Sequence, residues 1–176
     1  MLGQDAGHEL MELYAEGLRQ LGRFLGGRSA LEVIAESGGS AERLAAQLVE
    51  GMGLFADHGF YKRAQIVPSD LALAGAAEFS DLDRLTIFAD NLVPHVLRVD
   101  GVLRYHPALA AVIDTGELLE PGEQEREIRA CAVHACEEIA ARLGVAPRTL
   151  DVWLWNRGQG ERYKALGRHR TRTVFY

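Results

Sequence analysis

The sequence predicts an all-α protein that forms a single compact helical domain over residues 1–176. Three observations support this class. Apolar residues recur at spacings of three and four along most of the chain, which is the period of a helix buried on one side. Glycine, proline and serine stand where helices begin and end. A length of 176 residues, with 48% hydrophobic and 25% charged residues, suits one domain with a folded core.

Four helices are predicted in the first half of the chain. They span residues 10–25, 29–36, 40–51 and 61–74. Gly26-Gly27 ends the first helix, and Ser40 is a good N-cap for the third. The fourth helix is predicted despite Pro68 in its interior.

The second half begins with a strongly apolar helix. Asp81 or Asp83 would cap it, and Asp100-Gly101 would end it after Val99. Further helices are predicted over residues 107–116, over residues 123–143 and from residue 147 onward, while residues 102–105 and 169–176 are predicted to be extended.

Composition excludes several classes of protein. No apolar run approaches the length of a bilayer span, and residues 1–9 lack the layout of a signal peptide. Two cysteines cannot form a disulfide framework and fit a reducing compartment, so we expect a cytoplasmic protein. A net charge of −6 argues against a protein that coats nucleic acid. We therefore expect no stable nucleic-acid partner and no membrane partner.

The charge is unevenly distributed. Residues 157–176 contain six basic residues and one acidic residue, a balance of +5, so the first 156 residues carry −11. A basic terminus on an acidic body favours one phosphate or carboxylate partner over a long polyanion, and the alternative is a solvated basic tail.

A metal site is not predicted. Cys131, His134 and Cys136 are close in sequence, but on a helix they point in partly different directions and a fourth ligand is not evident. We expect no metal and no cofactor.

Asp90 is the most informative residue, because it lies in the middle of the apolar segment 85–97. Pro94 has no N–H for the carbonyl of Asp90, so the predicted helix should bend there. A carboxylate at a distorted helix in an apolar wall is typical of a catalytic acid or base. The alternative is an aspartate that pairs with a buried arginine or caps a broken helix.

Other polar side chains also lie within or next to apolar segments. Lys62, Gln65 and Ser69 lie on one side of the predicted helix. This side is a candidate functional surface, and the alternative is an ordinary exposed polar face. Glu125 and Arg129 have the spacing of a surface ion pair. The chain ends on Val-Phe-Tyr, which should dock and hold the basic residues just before it.

Seven segments, in this order, resemble the queuosine 5′-phosphate N-glycosylase/hydrolase family, the queuosine salvage proteins. The segments are Phe60–Ile66 (FYKRAQI), Asp70, Leu85–Leu97 (LTIFADNLVPHVL), Gly101–Tyr105 (GVLRY), Glu125–Ala130 (EREIRA), Asp151–Trp155 (DVWLW) and His169–Tyr176 (HRTRTVFY). The resemblance covers nearly the whole chain, which looks like a short form without the family's N-terminal region.

This resemblance implies a hydrolase that releases queuine from queuosine 5′-phosphate and leaves ribose 5-phosphate. It also implies an all-α core similar to that of DNA glycosylases. Asp90 matches the catalytic aspartate and Lys62 a substrate-binding lysine. Further substrate contacts are expected from Phe88, Glu123, Glu127, Asp151 and Trp155, and phosphate contacts from Arg63, Arg129, His169 and Arg170.

Other functions are weighed beside this hydrolase. A non-catalytic helical module that binds queuine or a related nucleotide is the alternative, and a DNA-base glycosylase is disfavoured by the net charge of −6. A homodimer is left open, because a second copy could supply a lid for the pocket.

Overall fold

The computed structural model describes residues 3–5 and 7–176. Over these residues it contains nine α-helices, two 3-10 helices and two strands of two residues each, which confirms the all-α class. The chain divides into two compact units, Met1–Leu82 and Asp83–Tyr176. The single domain and its likeness to DNA glycosylases stay predictions.

The first unit contains the four helices predicted for it. They are α1 (Glu9–Leu25), α2 (Ala30–Glu36), α3 (Ala41–Gly51) and α4 (Lys62–Leu73). Ser29 and Ser40 cap α2 and α3, and Gly26 ends α1 in the left-handed conformation with a φ of +57°. A cluster that includes Leu44 and Leu48 forms the core of this unit.

Asp81 caps α3, not the apolar helix predicted to follow it. Its carboxylate accepts hydrogen bonds from the amides of Ala41 at 2.6 Å and Glu42 at 3.3 Å, and from the hydroxyl of Ser40 at 2.7 Å. Burial raises the pKa of Asp81, but these hydrogen bonds outweigh it, so the pKa is lower than usual. The cap is therefore supplied from about 40 residues away in sequence.

The second unit is built around the short helix α5. Its helices are α5 (Leu92–Val99), α6 (Pro107–Asp114), α7 (Glu123–Leu143), α8 (Pro147–Arg157) and α9 (Glu161–Lys164). Every residue of α5 from Leu92 to Leu97 is buried, and α5 contacts α7, α8 and α9. The strands β1 (Leu118–Leu119) and β2 (Arg170–Thr171) pair in parallel.

The apolar helix predicted from Asp81 or Asp83 to Val99 is wrong over most of its first half. After a 3-10 turn at Leu82–Arg84, residues 85–91 form no helix, and α5 begins only at Leu92. Leu85, Ile87 and Ala89 are buried at alternate positions, which is the period of an extended segment.

The sequence predicted that Pro94 would bend a helix at Asp90, but in the structure Asp90 lies before the helix that contains Pro94. Pro94 occupies the third position of α5. The N–H groups of a first helical turn have no partner within the helix, so proline costs no hydrogen bond there.

The remaining helices agree with the sequence, and α7 has the bounds predicted for it. Residues 102–105 form no strand, and of the extended segment 169–176 only β2 pairs. The short helix α9 was not predicted. Over the residues that the structure describes, no helix has both the length and the apolar character needed to cross a membrane.

Candidate functional site

The Asp90 carboxylate lies just before α5 and is only 8% exposed. Its Oδ1 accepts hydrogen bonds from the backbone amides of Leu92 at 2.7 Å and Val93 at 3.1 Å. The positive end of the helix dipole complements the carboxylate at this position. The sequence placed Asp90 inside a helix, whereas the structure makes it the acceptor at the helix N-terminus.

Arg129 holds the peptide that precedes Asp90. It is 1% exposed, and its Nε and Nη2 both donate to the carbonyl of Ala89, at 3.0 and 2.9 Å. Two donors from one planar guanidinium orient that carbonyl in a single direction. Arg129 thus connects the long helix α7 to the backbone of the candidate catalytic residue.

Glu125 and the last residue of the chain complete the surroundings of Arg129. Glu125 accepts a hydrogen bond from Arg129 Nη1 at 3.2 Å and one from the Tyr176 hydroxyl at 2.8 Å. The Tyr176 ring lies against the guanidinium, 4.8 Å from its carbon to the ring centroid. The predicted docking of the C-terminal residues is therefore confirmed, with Arg129 as a principal contact.

Two further contacts fix the segment around Asp90. Asp151, which is buried, accepts a hydrogen bond from the backbone amide of Phe88 at 2.9 Å. Asn91 donates its side-chain amide to the carbonyl of His169 at 3.2 Å. The Phe88 peptide before Asp90 is thus held by α8, and the Asn91 side chain after it is held by the C-terminal segment.

His169 is buried with both ring nitrogens lacking a hydrogen-bond partner among the described residues. Burial lowers its pKa to about 4, and the charge of Arg129 contributes. The imidazole is therefore neutral at pH 7.

Four other predicted site residues are exposed. Glu123 and Glu127 are exposed on α7, and Trp155 is 49% exposed on α8. Arg170 is exposed and donates to the carbonyl of Gly116. Of these four residues, none is a contact of Asp90 in the bonds described above, and their ligand roles stay predictions.

Lys62 and Arg63 belong to the first unit. Lys62 begins α4 directly after Tyr61, whose φ of +49° is a left-handed conformation that non-glycine residues rarely adopt. Arg63 donates to the carbonyl of Leu54 at 3.2 Å and lies over the Phe55 ring.

Sequence reasoning missed two features of the second unit. It preferred Glu123 and Glu127 over Glu125, although Glu125 is the buried carboxylate of the three. The Glu125–Arg129 spacing was the available signal, but it reads equally as a surface pair. His95 was not considered, although it is 3% exposed on α5.

Cys131 is exposed and Cys136 is buried on α7, as expected for helix positions that point in different directions. Burial raises the pKa of the Cys136 thiol to about 12. In the part of the chain that the structure describes, no three His, Cys, Asp or Glu side chains form a group that could hold a metal ion.

Together these contacts present a fixed carboxylate beside buried apolar residues. Such a group can stabilise a positive charge that develops on a bound molecule, or orient a water molecule. The charge-stabilising effect is stronger in apolar surroundings than in water.

Comparison with known proteins gives a consistent result. Residues 5–176 match the model of the queuosine salvage protein family. The queuosine 5′-phosphate N-glycosylase/hydrolase of Sphaerobacter thermophilus is 38% identical over 188 residues, covering 95% of this chain and 58% of the relative. The proteins of that name from Mus musculus and Nematostella vectensis are 33% and 31% identical, again over 95% of this chain.

This chain spans 58% of the length of the Sphaerobacter and mouse relatives and 59% of the Nematostella relative. The match nevertheless runs over nearly all of the present sequence and includes Asp90, Arg129 and Tyr176. The chain therefore belongs to the queuosine salvage protein family.

Proposed function

We propose that this protein is an N-glycoside hydrolase that releases queuine from queuosine 5′-phosphate, with Asp90 as the catalytic carboxylate. The observation that carries the proposal is the buried Asp90 carboxylate, held by two amides at the start of α5 in a chain of this family. The reaction consumes water and leaves ribose 5-phosphate. We place it in the cytoplasm, without a cofactor, and a homodimer stays a prediction.

The chemistry follows from the bond that breaks. Cleavage of an N-glycosidic bond builds positive charge on the ribose ring in an oxocarbenium-like transition state. A carboxylate that is already oriented stabilises this charge without reorganising during the reaction. The amides of Leu92 and Val93, together with the Arg129 contact to Ala89, supply that orientation.

The remaining ligand roles belong to the same proposal. Queuine carries a cationic amine, for which Glu123 and Glu127 are the proposed carboxylates, and both are exposed on α7. Phe88, Asp151 and Trp155 are proposed to contact the nucleotide. The role of Lys62 rests on its motif alone.

For the phosphate, the proposed cations are Arg63, Arg129, His169 and Arg170. Arg129 already donates hydrogen bonds to Ala89 and Glu125. It would therefore attract the phosphate mainly through its positive charge and not through new hydrogen bonds. His169 is neutral at pH 7 and could contribute only as a hydrogen-bonding group.

Asp90→Asn tests the proposal. We expect the variant to fold and to lose at least about 100-fold in kcat for queuine release, because the positively charged transition state loses the stabilising charge of the carboxylate. Free queuine is measured by mass spectrometry after mixing with queuosine 5′-phosphate. The matched control is Asp83→Asn, which removes an exposed carboxylate paired with Arg148 and should keep full activity.

Substantial turnover by a folded Asp90→Asn variant would contradict the role of Asp90. Binding of the nucleotide by the natural chain with no queuine released would instead identify the non-catalytic binding module.

A further inference from the structure

A cavity in the second unit lies beside α5, away from the contacts described for Asp90. Its volume is about 230 Å³, and its lining includes His95, Gly158, Gln159, Tyr163, Lys164 and Arg168. The end of α8 approaches α5 closely here, because a Cβ at Gly158 would come within 2.9 Å of Leu92 and Val96. Glycine at this position thus allows the wall of the cavity to form.

His95 supplies a buried polar atom to this wall. Its Nε2 lies 2.7 Å from the carbonyl of Tyr163. A carbonyl only accepts, so Nε2 carries the proton and Nδ1 is left as an acceptor. Nδ1 has no hydrogen-bond partner among the described residues, although His95 is 3% exposed. An unpaired buried acceptor is uncommon, and one that belongs to a cavity wall suits a ligand hydroxyl.

Lys164 and Arg168 bring positive charge to the same cavity. Over the described part of the chain, neither side chain forms an ion pair, and no acidic residue lines the cavity. The neighbouring Arg157 and Arg162 differ, because both pair with Asp100, at 2.8 and 3.6 Å. The single negative charge of Asp100 thus offsets part of the charge of Arg157 and Arg162, whereas no carboxylate lines the cavity beside Lys164 and Arg168.

The position of Arg168 is consistent with this arrangement. Burial lowers the pKa of His95, and the charge of Arg168 lowers it further. A neutral His95 beside a cationic rim can accept from a hydroxyl while the rim binds an anion.

We propose that this cavity binds a small phosphorylated sugar, whose phosphate pairs with Lys164 and Arg168 and whose hydroxyl donates to His95 Nδ1. Lysine and arginine are suited to phosphate oxygens. The volume is below the roughly 300–1,000 Å³ of pockets for drug-sized ligands, so a sugar phosphate suits it better than a complete nucleotide. The proposal rests on the cavity itself and does not require the hydrolase activity.

Calorimetric titration of the full chain tests it, with ribose 5-phosphate, inorganic phosphate and ribose as probes. We expect ribose 5-phosphate to bind more tightly than either of the other two. The double variant K164Q/R168Q should weaken its binding at least tenfold. The control R19Q/R142Q removes two exposed charges elsewhere and should leave binding unchanged.

His95→Gln separates the hydroxyl contact from the phosphate contact. Glutamine keeps an N–H donor for the Tyr163 carbonyl but removes the ring acceptor. We expect weaker binding of ribose 5-phosphate and little change for inorganic phosphate, with thermal unfolding to check the fold. Equal binding of ribose 5-phosphate by the natural chain and the double variant, or no binding at all, would overturn the proposal.

The source of the sugar phosphate is decided by a second measurement. Competitive inhibition of queuine release by ribose 5-phosphate, if the substitutions K164Q/R168Q weaken it, would show that the cavity serves the sugar phosphate of the reaction. Binding without such inhibition would show a separate site for a free sugar phosphate. Both outcomes support the cavity's ligand class, and failure of hydrolysis alone affects only the proposed function.

Discussion

At the scale of single residues, Asp90 illustrates how one side chain meets two demands. Its carboxylate caps α5, which was the structural alternative considered from sequence, and it is also the proposed catalytic carboxylate. These roles are compatible, because a cap needs a fixed acceptor and the proposed chemistry needs a fixed negative charge. The cap therefore contributes to the positioning that the proposed reaction requires.

Among the residues around Asp90, Arg129 is the one whose replacement should lower the stability of the protein most. We expect Arg129→Leu to reduce the free energy of unfolding by about 3–5 kcal/mol, because it leaves Glu125 buried without its cation. The double variant with Glu125→Leu should recover part of this loss. Urea denaturation of the single and double variants measures it.

The same helix offers a control for Arg129. Glu138 and Arg142 have the same four-residue spacing, but both are exposed and their closest N and O atoms are 3.9 Å apart. Arg142→Leu should change stability by less than about 1 kcal/mol. Equal effects of the two substitutions would show that burial adds nothing to the Glu125–Arg129 pair.

At the scale of elements, the two aspartates expected to begin the apolar helix have different functions. Asp81 caps α3 through three hydrogen bonds, whereas Asp83 is exposed and pairs with Arg148 at 3.0 Å. We expect Asp81→Ala to destabilise the protein by about 1–2 kcal/mol, as the loss of a helix cap does. Thermal or urea unfolding gives the value.

Asp83→Ala is the matched control, two residues along the chain. It removes only a surface ion pair, so its effect should stay within about 0.5 kcal/mol. Comparable destabilisation by both variants would contradict the assignment of the cap to Asp81.

At the scale of the whole molecule, His169 links folding to pH. Its pKa is lowered from 6.5 to about 4. Between these values the unfolded chain binds a proton that the folded chain does not, so stability falls as the pH falls through this window. The full loss is about 3 kcal/mol, of which about 2 kcal/mol is reached at pH 5.

Urea denaturation at pH 7 and pH 5 measures this loss. His169→Gln should lose about 2 kcal/mol less than the natural chain between these two values, because glutamine does not titrate. His95 and the carboxylates remain in both proteins, so their contributions cancel in the comparison. Identical pH dependences would show that His169 does not stay neutral in the folded state.

Much of the helical fold could be predicted because its signals are local. Gly26, Ser40 and Pro147 each mark a helix end within a few residues of themselves, and the structure agrees at all three. The seven motif segments in their order likewise identified the family without any knowledge of contacts. Many helix ends, the all-α class and family membership were thus available from the sequence alone, whereas the start of α5 and the short helix α9 were not.

Tertiary structure decided which polar residues act together. Asp81 caps a helix 40 residues earlier, Arg129 reaches the carbonyl of Ala89 40 residues away, and Tyr176 reaches Glu125. Likewise, only the folded chain shows that Arg157 pairs with Asp100, whereas Lys164 lines the cavity. Local sequence specifies helix ends because caps and turns involve neighbouring residues, whereas burial and ion pairing depend on groups that only folding brings together.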